Sequence, residues 1–200
     1  MKKTLIRNYA KLIVRMGASV QTGQRVVIVA QTESAEFVRL LAEECYRAGA
    51  ADVTVDWQNQ ALEKLASRFE TVKDLGCVTP WQEKKLEYRA ETLPVTIKLL
   101  SADPDGMKGA DSEKLTLAAM ARAAITKPYT DRMTNRYQWC VAAVPSAAWA
   151  KKLFPEERVG TAVEKLWELI LKTSRADGKD PLNDWMWHNR ALREKCDRLN

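Results

Sequence analysis

The chain has 200 residues, 46% of them hydrophobic and 29% charged, with a formal net charge of +6. That length supports one sizeable hydrophobic core, and seven tryptophans exclude a disordered chain. No apolar run approaches the roughly 18 residues that a membrane helix needs, so a soluble protein with no membrane partner is expected.

The first 16 residues, MKKTLIRNYAKLIVRM, carry Lys2, Lys3, Arg7, Lys11 and Arg15 and no acid. A transit peptide or a membrane-surface helix is one reading. The other is a core helix with a solvated basic face. Leu5, Tyr9, Leu12 and Met16 recur at helical spacing and favour it, over about residues 4–17.

RVVIVAQ, residues 25–31, is the run expected of a strand covered on both faces. A helical pattern over residues 34–48 stops at Gly49, a C-terminal signal. DVTVDW, residues 52–57, alternates as a second strand. The three make a βαβ unit, which should be parallel and right-handed.

Residues 60–92 read as charged helices broken near Gly76 and Pro80. PVTIKLLS, residues 94–101, is a third strand. A loop follows, then a long helix capped by Asp111 or Ser112. YQWCVAAV, residues 137–144, is a fourth strand ending at Pro145.

Val159, Val163, Leu166 and Ile170 share one face of the next helix. A last helix starts at Asp180-Pro181, with the stripe Leu182, Trp185, Asn189, Leu192, Cys196 and Leu199. The alternation predicts one α/β domain over residues 1–200. It has a mostly parallel sheet of about four or five strands flanked by helices, and a helical C-terminal segment.

Catalytic chemistry is sparse. The only histidine is His188, so a serine nucleophile has little chance of a base. With Asp184 it could touch a metal, but a zinc site wants three or four ligands. Neither a P-loop nor a dinucleotide-binding glycine pattern follows any strand. The four cysteines are far apart, with no Cys-x-x-Cys pair, which points to reduced thiols in a cytoplasm. No catalytic, cofactor-binding or metal residue is assigned. A nucleic-acid partner held by the basic first helix is not expected, because acid-rich helices elsewhere dilute the charge and no motif supports one.

Two places stand out. Asp103, Asp105 and Lys108 follow the third strand, where parallel α/β sheets bind ligands. They position a substrate, or they only form an Asx-type turn around Pro104. Trp149 lies just past the fourth strand between Ala148 and Ala150, with Lys151 and Lys152 after it. It reads as an exposed anchor for a partner surface.

Four stretches together resemble the aminopeptidases of the thermophilic metalloprotease family. They are GASVQTGQRVVIVA (17–30), SADPDGMKGAD (101–111), WCVAAVPSAAWAKKLFPEE (139–157) and the closing KLWELILKTSRADGKDPLNDWMWHNRALREKCDRLN. The resemblance implies the non-catalytic N-terminal half of a two-domain, dimeric enzyme that removes N-terminal residues from peptides. It places two divalent metal ions, zinc or cobalt, on Glu, His, Asp and Tyr residues of a C-terminal domain absent from this chain. No such ligand has a counterpart here, so the chain alone is expected to be inactive. Its implied partners are the catalytic domain and a homodimer mate. Asp103, Asp105, Lys108 and Trp149 are then candidate interdomain or substrate-access contacts. The alternative is a stand-alone binding or regulatory module.

Overall fold

The computed structural model describes residues 3–199. Lys2 of the basic stretch lies outside the described residues. The rest of that stretch forms α1, Lys3–Leu12, with Tyr9, Ala10 and Leu12 buried. It is a core helix with its basic residues toward solvent. Its last turn widens into a π-helix over Ile13–Gly17, which a plain helical spacing does not foresee. Ala18 N–H closes it on Ile13 O at 2.7 Å. Gly17 permits close approach there: a Cβ would stand 2.6 Å from Cys140 Sγ.

Strand β1, Arg25–Gln31, leads through a 3-10 turn into α2, Ala35–Arg47. Gly49 ends this unit at φ 95°, and a Cβ there would also meet Thr22 Oγ1 at 2.7 Å. Strand β2, Asp52–Gln58, then runs parallel to β1, with Arg25 beside Asp52 and Gln31 beside Gln58.

Three helices follow, each begun by a polar cap: α3 (Gln60–Phe69), α4 (Val72–Gly76) and α5 (Pro80–Thr92). Asn59 caps the first and Thr71 the second. At the third, Gln82 Oε1 reaches back to accept from Thr79 N–H at 3.1 Å.

Strand β3, Val95–Leu100, pairs parallel with β1. Helix α6, Ser112–Met133, is capped by Asp111 Oδ1, which accepts from Lys114 N–H at 2.9 Å. It runs four residues beyond Tyr129, passing through the exposed Pro128. Tyr129 Oη donates to Glu83 Oε1 at 2.8 Å and ties this part to α5.

Strand β4, Trp139–Ala143, pairs parallel with β3. Three helices close the described chain: α7 (Ala147–Leu153), α8 (Val159–Thr173) and α9 (Pro181–Leu199).

The sheet has four parallel strands in the order β2-β1-β3-β4. One face is the core. Val26, Ile28 and Ala30 lie there beside Val95, Ile97 and Leu99, under residues of α1, α2 and α8. Phe37, Tyr9 and Trp167 cluster with ring centroids 5.5–6.1 Å apart. Burial pushes the Tyr9 phenol up to about 12, so it stays protonated and donates to Ala143 O at 3.1 Å.

The other face is only partly covered. At the β1–β2 side Asp56 accepts from Lys85 and Arg89 of α5, each at 2.6 Å. Helix α6 packs on α4 and α5 rather than on β3 and β4. Leu100, Trp139 and Val141 are therefore about half exposed, at 46%, 55% and 54%.

No helix among the described residues is long and apolar enough to cross a membrane.

Candidate functional site

The path of the chain fixes where a ligand can sit. From β1 it moves outward to β2, then returns across β1 to β3. The connections diverge between β1 and β3, leaving a crevice at the carboxyl ends of those strands. A cleft of about 500 Å³ opens there. Gln31, Gln60, Lys64, Arg68, Ser101 and Asp103 contribute to its lining.

Its floor is polar and buried. Ser34 Oγ and Ser101 Oγ lie 2.7 Å apart and join the start of α2 to the end of β3. Gln31 Oε1 accepts from Gln60 N–H at 3.3 Å. Both Gln31 and Ser101 terminate apolar strands, so the backbone delivers them to the crevice.

Gln60 holds the wall. Its Nε2 donates to Asp103 O at 3.1 Å, and its Oε1 accepts from Asp103 N–H at 3.0 Å. Gly106 makes room for this clasp, since a Cβ there would stand 2.3 Å from Gln60 Oε1. Lys64 Nζ donates to Lys108 O at 2.7 Å.

The 103–108 loop has turn chemistry. Asp103 Oδ1 accepts from Asp105 N–H at 2.9 Å, closing an Asx turn. Asp105 Oδ1 accepts from Lys152 Nζ at 2.8 Å. That hydrogen bond holds the Asp105 carboxyl below the usual range, with the charges of Lys152 and Lys108 assisting. One carboxylate shapes the loop and the other binds it to α7.

Trp149 stands close by. It is half-buried against the core rather than free as an anchor. With Pro104 it lines a neighbouring cavity. Ser146 Oγ accepts from Trp149 N–H at 3.2 Å, so this hydroxyl serves as a helix cap. The Lys152–Asp105 pair thus joins the two stretches that the sequence singles out. Gln31, Gln60, Lys64 and the Ser34–Ser101 pair were not foreseen. For Gln31 and Ser101 the signal is a polar residue at the end of an apolar strand, legible only once the strand order is known.

Among the described residues the Cys45 and Cys140 thiols are not activated nucleophiles. Burial raises the Cys140 thiol, which disfavours the reactive thiolate. Cys45 is pushed up to about 12 by burial, and by the charge of Glu44. His188 stands edge-on to Trp185, with centroids 5.4 Å apart. Among the described residues, no three His, Cys, Asp or Glu side chains come together as metal ligands. The donor set of the described residues does not fit a divalent metal.

Comparison with known proteins gives this architecture a lineage. The chain is 35% identical over 198 residues to Aminopeptidase AmpS of Bacillus subtilis (strain 168), covering 98% of this chain and 48% of that protein. It is 34% identical over 200 residues to Aminopeptidase PepS of Streptococcus thermophilus, with shares of 99% and 48%. The solved structure of wild-type AmpT from Thermus thermophilus superposes with a TM-score of 0.86 at 30% identity, over 98% of this chain and 48% of that one. The chain thus spans about half the length of the curated relatives it matches. The model of the thermophilic metalloprotease (M29) family matches residues 2–200, and the chain belongs to that family.

Proposed function

We propose that this chain is the N-terminal, non-catalytic half of a longer metal-dependent aminopeptidase that acts on peptides. The observation that carries this is one of extent. The similarity runs through nearly all of this chain and about half of each relative. The two divalent ions, zinc or cobalt, that a metalloprotease implies are held on the other half.

On this reading the chain contributes shape. The cleft between β1 and β3, with Asp103, Asp105 and Lys108, borders the route by which peptides reach the active site. Trp149, wedged beside Pro104, stiffens that border. Homodimer assembly and a cytoplasmic location complete the proposal, and the four free cysteines suit a reducing compartment.

The test is to sequence the gene past the Asn200 codon and express two products. One is the 200-residue chain, the other the full reading frame. With zinc or cobalt added, the longer product should release amino acids from unblocked peptides and the short one should not. Robust metal-dependent activity from the short chain would overturn the proposal. An immediate stop codon would favour a stand-alone binding module.

A further inference from the structure

We infer that the free edge of β4 receives a fifth, extended strand, supplied by the part of the longer polypeptide that lies outside the matched region. The inference rests on the function proposed above and adds where the two halves join.

The edge itself is the first observation. β4 pairs with β3 on one side, and among the described residues no strand pairs with the other. Val144 N–H donates to Leu100 O at 2.9 Å, and Thr96 N–H donates to Gln138 O at 3.0 Å. These bonds set the phase. By alternation the peptide groups of Trp139 and Val141 point away from β3. Ala143 O shares their phase, and Tyr9 Oη occupies it, which marks where the open stretch stops. A row of unpaired backbone groups of this kind is a template for another strand.

A cavity beside the edge is the second. It has a volume of about 310 Å³, and Leu12, Met16, Cys140, Val141, Trp185 and Asn189 are among its walls. Successive strand residues point to opposite faces. Cys140 and Ala142 present their side chains to it with Val141 between them, and no described residue of β3 is among its walls, so it sits toward the free side of β4. Its one amide, Asn189, reaches only Met16 Sδ, at 3.7 Å. On the opposite face, the exposed Trp139 and Val141 continue the apolar surface.

These features specify the occupant. A strand laid along β4 would use its backbone on Trp139 and Val141. One large apolar side chain would enter the cavity, and its neighbours in sequence would fall over Val141. A second copy of β4 does not suit. Cys140 and Ala142, its side chains on the cavity face, are too small to fill the space. Nor is there a spare segment among the described residues. The longest connection, residues 101–111, is held by Gln60 and Lys152.

Amide hydrogen exchange tests this, using the 200-residue chain and the full reading frame at two concentrations each. The Trp139 and Val141 amides should exchange readily in the short chain. In the long product they should slow by at least roughly a hundredfold, as for a strand edge that becomes paired. Alkylation of Cys140, mapped by mass spectrometry, should slow with them. If the long product is an active aminopeptidase and these amides remain fast, the inference is overturned while the proposed function stands. If protection appears in the short chain as concentration rises, a second copy is the occupant and the inference again fails. A stop after Asn200, or an inactive long product, would remove both, and the activity assay identifies that case.

Discussion

The two ends of this sheet obey different rules. At β1 both faces are covered: Val26, Ile28 and Ala30 are fully buried, and Val27 on the opposite face is 5% exposed. At β4 one face is buried and the other is open, with Trp139 and Val141 about half exposed. Parallel sheets are ordinarily covered on both sides. The contrast teaches that hydrophobic residues at the β4 end are not explained by packing within the described residues. The same holds for the far half of α9. Leu182 and Trp185 pack on the core, whereas Leu192 is 44% exposed and Leu199 88%.

The comparison can be broken most directly by truncation on each side. Ile28→Ala should cost about 3–4 kcal/mol, because it empties a fully enclosed site between β2 and β3. Val141→Ala in the same chain should cost no more than about 0.5 kcal/mol, as expected for an exposed position. Urea denaturation with shared slopes would measure both. Equal costs would mean that the β4 face is covered after all.

A second variant probes the covered side of β4. Gly17→Ala places a methyl group 2.6 Å from Cys140 Sγ. Overpacking of this kind should cost about 1–3 kcal/mol. In Gly17→Ala/Cys140→Ala the sulfur is gone, so the pair should be less destabilised than the sum of the singles. Simple additivity in that cycle would show that the π-helix, rather than the contact, sets the cost.

The cleft responds more weakly. Gln60→Ala removes both bonds to the Asp103 backbone, for a loss of about 1–2 kcal/mol. The amide of Asp103 should then exchange faster, while those of β1 stay protected. Uniform acceleration would indicate global unfolding instead of a released loop.

Much of the fold was legible because local signals agreed. RVVIVAQ is continuous for a covered strand, DVTVDW alternates, and Gly49 and Pro145 mark ends. Strand order is a property of the whole chain, so the crevice between β1 and β3 was not legible. Gln31 and Gln60 look like ordinary strand and helix ends until those two strands are adjacent. Asp103 and Asp105 were visible as a cluster, yet their roles depend on Gln60 and Lys152, which lie 43 and 47 residues away. Helix α6 runs to Met133, one turn further than the stretch DSEKLTLAAMARAAITKPY that reads as helix in the sequence. The Tyr129–Glu83 bond holds it in place. Trp149 reads as exposed from its alanine and lysine neighbours, but Ser146 starts α7 there and turns the indole inward.

A small, pH-dependent effect belongs to Asp56, on the covered β1–β2 side. Burial would by itself raise its carboxyl. Hydrogen bonds from Lys85 and Arg89, with their charges, outweigh burial and hold it below the ordinary 3.8. A carboxyl depressed in the folded state contributes stability that is present above its unfolded value and lost as pH falls through the folded one. Its contribution should therefore be intact at neutral pH and decline only below about pH 4. Lys85 is 41% exposed and water screens the pair, so Asp56→Asn should cost about 1 kcal/mol or less. The variant and the parent should converge in stability as pH drops through that acid window, and added salt should narrow their gap at pH 7. A gap that persists undiminished well below the folded value would assign the loss to packing of α5 on β2 and not to charge.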